Sequence, residues 1–265
     1  MHIIPFVKYH GAGNDFIMID DRNGDWERLI NEAWIANACH RRFGIGADGM
    51  ILLQEGKDGA DFFMRYFNSD GRVSTFCGNG GRCIVAFAMG LGVHTGKCKF
   101  LGTDGWHEGE VLDNGEVRIS MTDVNEVKHL DKTTATLYTG SPHYVKLSDT
   151  IDQLDVVRHG RAIRNSDPYM PDGINVNFVE WIEDGELRIR TYERGVEDET
   201  YACGTGVVAA AIAATDLKKS AKNSWTIHAK GGDLNVSFDR SDLGVYQHVW
   251  LTGPAKAVFS GEIPL

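Results

Sequence analysis

Residues 74–85 read STFCGNGGRCIV and residues 200–214 read TYACGTGVVAAAIAA, so a cysteine followed by glycines opens an apolar run twice in one chain. A helix that is apolar on all sides is usually buried in the middle of its domain. We therefore predict two buried central helices, which begin next to Cys77 and Cys203. A group at the N-terminus of such a helix is held rigidly.

The composition favours an enzyme that acts on a small molecule. The 265 residues suffice for one large domain or two of ordinary size. A formal net charge of -10, with no block of Lys or Arg, argues against a nucleic-acid or anionic-membrane partner. The N-terminus lacks the pattern of a signal peptide, and no apolar run approaches the ~20 residues that span a bilayer. We expect a cytoplasmic protein.

The cysteines and histidines do not form a metal-binding pattern. Five cysteines are an odd number without Cys-x-x-Cys spacing, and the ten histidines never form His-Glu-x-x-His. Reduced thiols and the absence of a metal site are therefore expected.

Short β-rich runs bounded by Gly, Asp and Asn dominate the chain, with few helices between them. Helices are predicted over Trp26–Arg42, Cys77–Gly92, Ile151–His159 and Gly204–Lys219. This balance predicts an α+β fold with mostly antiparallel strands, because the regular βαβ alternation of a Rossmann chain is missing.

The two cysteine turns belong to an internal near-repeat. Residues 65–68 precede Cys77 by about the distance at which residues 190–193 precede Cys203, and a glycine turn and a small-residue helix follow each cysteine. We interpret this as a duplication. It predicts an N-terminal half over residues 1–121, joined by a returning strand over 255–265, and a C-terminal half over 122–254.

A cysteine in such a turn is suited to acid–base chemistry. The N-terminus of a helix offers backbone N–H groups and partial positive charge, which bind carboxylates and lower the pKa of a nearby thiol. An isolated cysteine is more often a small buried apolar residue, which is how we interpret Cys39, Cys83 and Cys98. Cys77 and Cys203 are exceptions because they share one context in two halves.

Paired thiols suit the inversion of a carbon centre. A proton must leave one face and another must arrive on the opposite face, so one group is deprotonated while its partner is protonated. The amides of both turns could hold an α-carboxylate and stabilise the charge that develops as the α-proton leaves. We see no signature of a cofactor that would accept this charge, and predict none.

Eight motifs in the same order resemble the diaminopimelate epimerase family over nearly the whole chain. They are HGAGNDF (10–16), RRFGIGADG (41–49), FNSDG (67–71), CGNGGRC (77–83), GSPHYV (140–145), YERG (192–195), ACGTG (202–206) and LTGPA (251–255).

The resemblance implies interconversion of LL- and meso-2,6-diaminopimelate without cofactor or metal, on the pathway to lysine and peptidoglycan. It also implies two pseudo-symmetric domains, each a curved, mostly antiparallel sheet around a central helix, with the site between them, and a homodimer.

Residue roles follow from the same resemblance. Cys77 and Cys203 match the acid–base pair, while His143 and Glu193 match positions that tune the cysteine pKa values, an effect that we expect to act through charge. The positions that match substrate contacts are Asn14, Asn68, Gly78, Asn79, Asn175, Glu193, Arg194, Gly204 and Thr205.

Two positions depart from the family pattern. Ser141 stands where many relatives have Asn, so a contact there would be shorter, water-mediated or absent. Residues 72–74, Arg-Val-Ser, replace a more usual Ser-Glu and a small residue. Neither change touches the thiols, and both leave open how tightly the non-reacting half of the substrate is held.

Two alternatives remain open. A proline or 4-hydroxyproline epimerase shares the fold and the paired thiols, but needs no recognition of a distal amino-acid group. A thiol redox sensor would use Cys77 and Cys203 for a reversible disulfide, and would exchange no α-proton.

Overall fold

The structure is a computed structural model that describes residues 2–265. Its helices are α1 (Glu32–Cys39), α2 (Gly78–Gly90), α3 (Val156–Arg164) and α4 (Gly204–Lys218), and a 3-10 turn follows α3 at Asp167–Tyr169. Its strands are β1 (Ile3–Gly11), β2 (Asn14–Asp20), β3 (Gly49–Glu55), β4 (Phe62–Asn68), β5 (Lys97–Gly102), β6 (Gly105–Val111), β7 (Val117–Ser120), β8 (Val127–His129), β9 (Thr134–Tyr138), β10 (Pro142–Ser148), β11 (Asn175–Glu183), β12 (Glu186–Glu193), β13 (Asp198–Thr200), β14 (Ser224–Ala229), β15 (Gly232–Arg240), β16 (Tyr246–Gly253) and β17 (Lys256–Pro264).

The chain divides into two compact units. One comprises Met1–Ile119 with Gly253–Leu265, and the other comprises Ser120–Thr252. The predicted α+β class is confirmed, since most strand pairs in each unit are antiparallel and the helices are few.

In the first unit, β1 pairs antiparallel with β2 and with the C-terminal strand β17. The pairs β2–β3 and β4–β5 are parallel, whereas β3–β4, β5–β6 and β6–β7 are antiparallel. Parallel neighbours need a crossover connection, which is usually a helix. Accordingly α1 lies between β2 and β3 in the chain, and α2 between β4 and β5.

The second unit repeats this order. The pairs β10–β11 and β12–β14 are parallel, with α3 and α4 as their crossovers, and β9–β10, β11–β12, β14–β15 and β15–β16 are antiparallel. Short strands β8 and β13 add to β9 and β12. The sequence near-repeat therefore corresponds to a repeat of strand order and crossover position.

The two crossover helices of each unit occupy different environments. Helix α2 contacts β1, β2, β3, β4, β6 and β17, and α4 contacts β8, β9, β10, β11, β12, β14 and β15. Residues 206–215 of α4 are all buried, which explains its lack of a polar face. Helices α1 and α3 instead pack in apolar clusters that include Ile35 and Val156, respectively.

The helix predictions were right in number and wrong at some boundaries. Helix α4 begins at Gly204 as predicted, and α2 begins at Gly78 with Cys77 as its N-cap residue. Helix α1 starts only at Glu32, because the Asn31 side chain accepts from the Trp34 amide and caps it there. Helix α3 starts later than predicted, at Val156, where Asp155 accepts from the Arg158 amide in the same way.

The packing of α3 on its sheet depends on one glycine, which gives a test of the fold. A Cβ added at Gly160 would collide with the Cβ of buried Tyr192 on β12 and lie 2.6 Å from its Cγ. Gly160→Ala should therefore lower the free energy of unfolding by about 1–3 kcal/mol, the usual cost of overpacking. Urea denaturation measures this effect.

Gly90→Ala is the matched control, because a Cβ at Gly90 of α2 would have no atom within 4 Å. It should leave stability unchanged or raise it by up to about 1 kcal/mol. Equal effects of the two variants would contradict the close packing of α3.

Candidate active site

Two helices of the chain have a cysteine as the N-cap residue, while the other two have a conventional cap. Asn31 and Asp155 cap α1 and α3 with side-chain oxygens. Such a cap contributes ~1 kcal/mol relative to a residue that cannot accept the bond. A thiol at this position in α2 and α4 is a weak choice for stability, so its chemistry is the better explanation.

The first turns of α2 and α4 are alike. The first helical hydrogen bonds run from the Gly81 amide to the Cys77 carbonyl, at 2.7 Å, and from the Val207 amide to the Cys203 carbonyl, at 2.9 Å. The amides of residues 78–80 and 204–206 thus come before the first i→i−4 hydrogen bond of each helix. Amides at this position point out along the helix axis and can bind an anion. Predicted contacts Gly78, Asn79, Gly204 and Thr205 lie in these turns.

In the first unit, Asn14 and Asn79 meet at Cys77. Asn14 Nδ2 donates to Asp48 Oδ2 at 2.7 Å, which turns Asn14 Oδ1 toward Cys77 Sγ, 3.6 Å away, and Asn79 Nδ2, 3.2 Å away. An amide oxygen only accepts hydrogen bonds. This contact therefore stabilises Cys77 as a protonated thiol.

Asp48 belongs to a network of charged side chains that includes Lys8 of β1 and Asp15 of β2. Arg41 bonds Asp48 at 2.6 Å and Asp15 at 2.8 Å, and Asp15 pairs with the buried Lys8 at 2.8 Å. Although burial alone would raise it, the pKa of Asp15 lies well below its usual range because Arg41 and Lys8 bond and attract the carboxylate. The motifs HGAGNDF and RRFGIGADG thus act together to orient Asn14.

Arg82 of α2 contacts the first turn of its helix, and the sequence analysis did not single it out. Its side chain is 0% exposed, and it donates to Asn79 Oδ1 at 2.8 Å, to the Gly78 carbonyl and to the Pro254 carbonyl. Burial lowers the pKa of Arg82 to about 10, against opposing effects of Cys83 and Cys77, so the guanidinium keeps its charge at neutral pH. The sequence feature that could have identified Arg82 is its position within the motif CGNGGRC (77–83).

In the second unit, Cys203 is 7% exposed and lies beside a hydroxyl group. Its Sγ is 3.5 Å from Thr205 Oγ1, which lies 2.9 Å from His143 Nε2 and 3.1 Å from Ser141 Oγ. Ser141, which departs from the family pattern, makes a direct contact of 2.9 Å with His143 Nε2. Serine is therefore part of this network.

Asn175 connects this network to Arg194. Asn175 Nδ2 donates to Ser141 Oγ at 3.1 Å and to the Pro142 carbonyl at 3.2 Å, while its Oδ1 accepts from the Arg194 amide at 2.9 Å. The Arg194 guanidinium bonds the Asp172 carbonyl at 3.3 Å.

Asn68 and Glu193 occupy matching positions in the two units. Asn68 is the last residue of β4 and is exposed, and Glu193 is the last residue of β12 and is half-buried. From each strand end the chain continues to the cysteine turn of its own unit, through a loop after Asn68 and through the short strand β13 after Glu193.

The electrostatic state of His143 differs from expectation. Its side chain is 0% exposed, and burial together with the positive charge of Arg194 lowers the pKa of His143 to about 3. The imidazole is neutral at pH 7, so the expected influence of His143 on a thiol through its charge does not operate there. A hydrogen-bonding influence remains.

The other three cysteines are buried, as predicted. Cys39, Cys83 and Cys98 are buried, and burial raises the pKa of each to about 12. They remain protonated at neutral pH and are poor nucleophiles and bases.

Over residues 2–265, no group of three or more His, Cys, Asp or Glu side chains is arranged to hold a metal ion. No helix in the same range has the length and apolar character needed to span a membrane.

The buried neutral state of His143 makes stability depend on pH. The unfolded chain binds a proton at this residue below about pH 6.5 and the folded chain only below about pH 3. The contribution of His143 to the free energy of unfolding is therefore fully present above pH 6.5. Between pH 6.5 and about pH 3 it decreases by about 1.4 kcal/mol for each unit by which the pH is lowered. Urea denaturation at several pH values measures this effect. The free energy of unfolding of His143→Gln should change less steeply with pH between pH 4 and 6 than that of the wild type, and the two slopes should differ by about this amount.

The exposed His159 supplies the control, since His159→Gln should keep the wild-type slope. The comparison uses slopes, so a uniform loss of stability in His143→Gln does not affect it. Parallel profiles for the wild type and His143→Gln would contradict the neutral buried state.

Comparisons with known proteins give one consistent family. A family model described as diaminopimelate epimerase matches residues 6–127 and 135–258. A diaminopimelate epimerase of Flavobacterium psychrophilum is 46% identical over 260 residues, which cover 98% of this chain and 100% of that protein.

Among solved structures, a Bacillus anthracis phenazine biosynthesis protein of the PhzF family has a TM-score of 0.73 at 14% identity and covers all of both chains. A probable proline racemase from Agrobacterium radiobacter has a TM-score of 0.69 at 16% identity, covering 99% of this chain and 93% of that one. At such identities these two structures are similar to the chain in fold alone.

Proposed function

Because the chain belongs to the diaminopimelate epimerase family, a family of isomerases, we propose that it interconverts LL- and meso-2,6-diaminopimelate. The observation that carries the proposal is the cysteine at the N-cap of each central helix, Cys77 in one unit and Cys203 in the other. The reaction serves lysine and peptidoglycan precursor synthesis in the cytoplasm.

The mechanism uses the two thiols in opposite protonation states. One thiolate removes the α-proton from one face of the substrate carbon, and the other thiol delivers its proton to the opposite face. One proton leaves and one arrives, so the cysteines exchange states and the reverse reaction restores them. The contact of Cys77 with the Asn14 oxygen supports a protonated Cys77 before substrate binds, and the two-base mechanism then requires Cys203 to be the thiolate.

The first turns of α2 and α4 supply the electrostatic part of catalysis. Backbone amides of Gly78, Asn79, Gly204 and Thr205 bind the α-carboxylate of the substrate and stabilise the negative charge that develops on loss of the α-proton. Fixed amides need no reorganisation during the reaction, which supports a mechanism without a cofactor.

The remaining polar residues recognise the distal amino-acid group. The Arg194 guanidinium suits the distal carboxylate because it can donate two parallel hydrogen bonds. We assign substrate contacts also to Asn14, Asn68, Asn175 and Glu193. The bond from the Arg194 amide to Asn175 supports a shared role of these two residues.

We further propose that the protein is a homodimer. Val258 and Phe259 of β17 are 57% and 49% exposed, and such apolar surface is common where subunits meet. Sedimentation at micromolar concentration tests this, and a monomer there would reject it.

Replacing either cysteine by serine should strongly reduce the rate of the reaction. In heavy water, the wild type should incorporate deuterium at the α-carbon of diaminopimelate, and Cys77→Ser and Cys203→Ser should each reduce turnover by about 10²–10⁴-fold, because a hydroxyl is a poor base at neutral pH. Mass spectrometry and a coupled assay measure exchange and epimerisation.

Cys98→Ser is the matched control, since serine can keep the bond that Cys98 donates to the Gly109 carbonyl. It should retain activity. Undiminished exchange in both Cys77→Ser and Cys203→Ser would overturn the two-thiol mechanism.

Substrate comparison separates the alternatives. We expect exchange with diaminopimelate and none with proline or 4-hydroxyproline, which lack the distal carboxylate that Arg194 would bind. Exchange with proline instead would favour the epimerase alternative of the same fold. Reversible linkage of Cys77 to Cys203 without exchange on any of the three amino acids would favour the redox sensor.

A further inference from the structure

Asn177 of β11 is a buried polar residue that the proposed mechanism does not use. Its side chain is 0% exposed and lies beside the ring of His143. A buried amide must find partners for its donors and its acceptor. Its partners therefore indicate what the residue does.

The orientation of the Asn177 amide follows from its neighbours. Its Nδ2 lies 3.1 Å from the Tyr144 carbonyl, which can only accept, so this atom is the nitrogen. Its Oδ1 lies 3.0 Å from Thr191 Oγ1, which donates. The remaining N–H of the amide points to His143 Nδ1, at 3.0 Å.

This orientation fixes the tautomer of His143. A nitrogen that accepts a hydrogen bond carries no proton, so the neutral imidazole must be protonated at Nε2. The Nε2–H then points to the hydroxyls of Ser141 and Thr205, each 2.9 Å away.

The tautomer decides where the Thr205 proton can go. A protonated Nε2 accepts nothing, so neither hydroxyl can donate to the ring. The Thr205 hydroxyl can then donate to Cys203 Sγ, at 3.5 Å. In the opposite tautomer, the unprotonated Nε2 would accept a hydrogen bond from the Thr205 hydroxyl. Cys203 Sγ would then lose this hydroxyl as a donor.

We propose that Asn177 is a positioning residue that holds His143 in the Nε2–H tautomer and thereby directs the Thr205 hydroxyl onto the Cys203 thiolate. This inference rests on the proposed function, in which Cys203 must exist as a thiolate.

The backbone supports a fixed position for Asn177. The residue pairs with Val145 of β10 and Thr191 of β12, so both neighbouring strands hold it. On the other side its amide oxygen lies against Gly206 of α4, where an added Cβ would collide with it. The glycine of the cysteine turn thus makes room for this amide.

Nitrogen NMR of histidine-labelled protein tests the tautomer without reference to activity. The wild type should show His143 with an unprotonated Nδ1 and a protonated Nε2 between pH 6 and 8, a range in which His143 stays neutral beside Arg194. His143→Gln assigns the signal. A protonated Nδ1 in the wild type would overturn the proposal.

Asn177→Asp tests the cause. A carboxylate in place of the amide accepts from the ring, so Nδ1 should become protonated at pH 8. Epimerisation should fall by roughly 10- to 100-fold, the range for one hydrogen bond to a charged group. The limb of the pH–rate profile that reports the thiolate should move to higher pH. An unchanged tautomer or an unchanged pH limb would reject the role of Asn177.

Thr191→Val is the matched control, because it removes the partner of the amide oxygen and leaves the Asn177 donors in place. Its His143 signals should match those of the wild type, and a protonated Nδ1 in this variant would count against the proposal. If the wild type has the expected tautomer but exchanges no α-proton, the proposed function fails and the positioning of His143 by Asn177 stands.

Discussion

The position of each N-cap cysteine, Cys77 and Cys203, depends on how closely the first turn of its helix packs on the strands of its own unit. A Cβ at Gly80 would lie 2.9 Å from Ile51 Cδ1, and one at Gly206 would collide with the amide oxygen of Asn177. These glycines are therefore needed for packing, in addition to any access they give a ligand. Because α2 and α4 are buried among strands, the interior of the protein fixes the helix ends at which the two cysteines lie.

The two units repeat one backbone plan and surround their cysteines with different polar groups. Cys77 lies by an amide oxygen whose direction is set by Asp48, and that oxygen suits a thiol. Cys203 lies by the Thr205 hydroxyl, which can either donate or accept. A duplicated fold can therefore carry unequal groups at matching positions. This inequality suits an epimerase whose two bases begin the reaction in opposite states.

The sequence sufficed for the class of fold and for both central helices, since apolar runs and glycine turns are local signals. It placed the start of α1 too early, because only the structure shows that Asn31 caps that helix at Glu32. It also missed Arg82 and Asn177. Arg82 bonds the carbonyl of Pro254, far away in the chain, and Asn177 reads as an ordinary polar residue of a strand until β10 brings His143 beside it. Contacts between distant segments leave little trace in composition or spacing, and the same is true of the burial that keeps His143 neutral.

A neutral histidine fits a reversible base better than a charged one. An imidazolium beside Cys203 would favour the thiolate by Coulomb attraction in a low-dielectric site, and would oppose the thiol state that the reverse reaction requires. A hydroxyl oriented by a neutral ring favours the thiolate less strongly, because it carries no net charge. It donates to the thiolate, and by rotation it accepts from the thiol, so both states of the sulfur keep a partner. For a reaction whose substrate and product are nearly equal in energy, the catalytic groups need similar free energies in their two states, and exchange of hydrogen-bond direction achieves this without moving a buried charge.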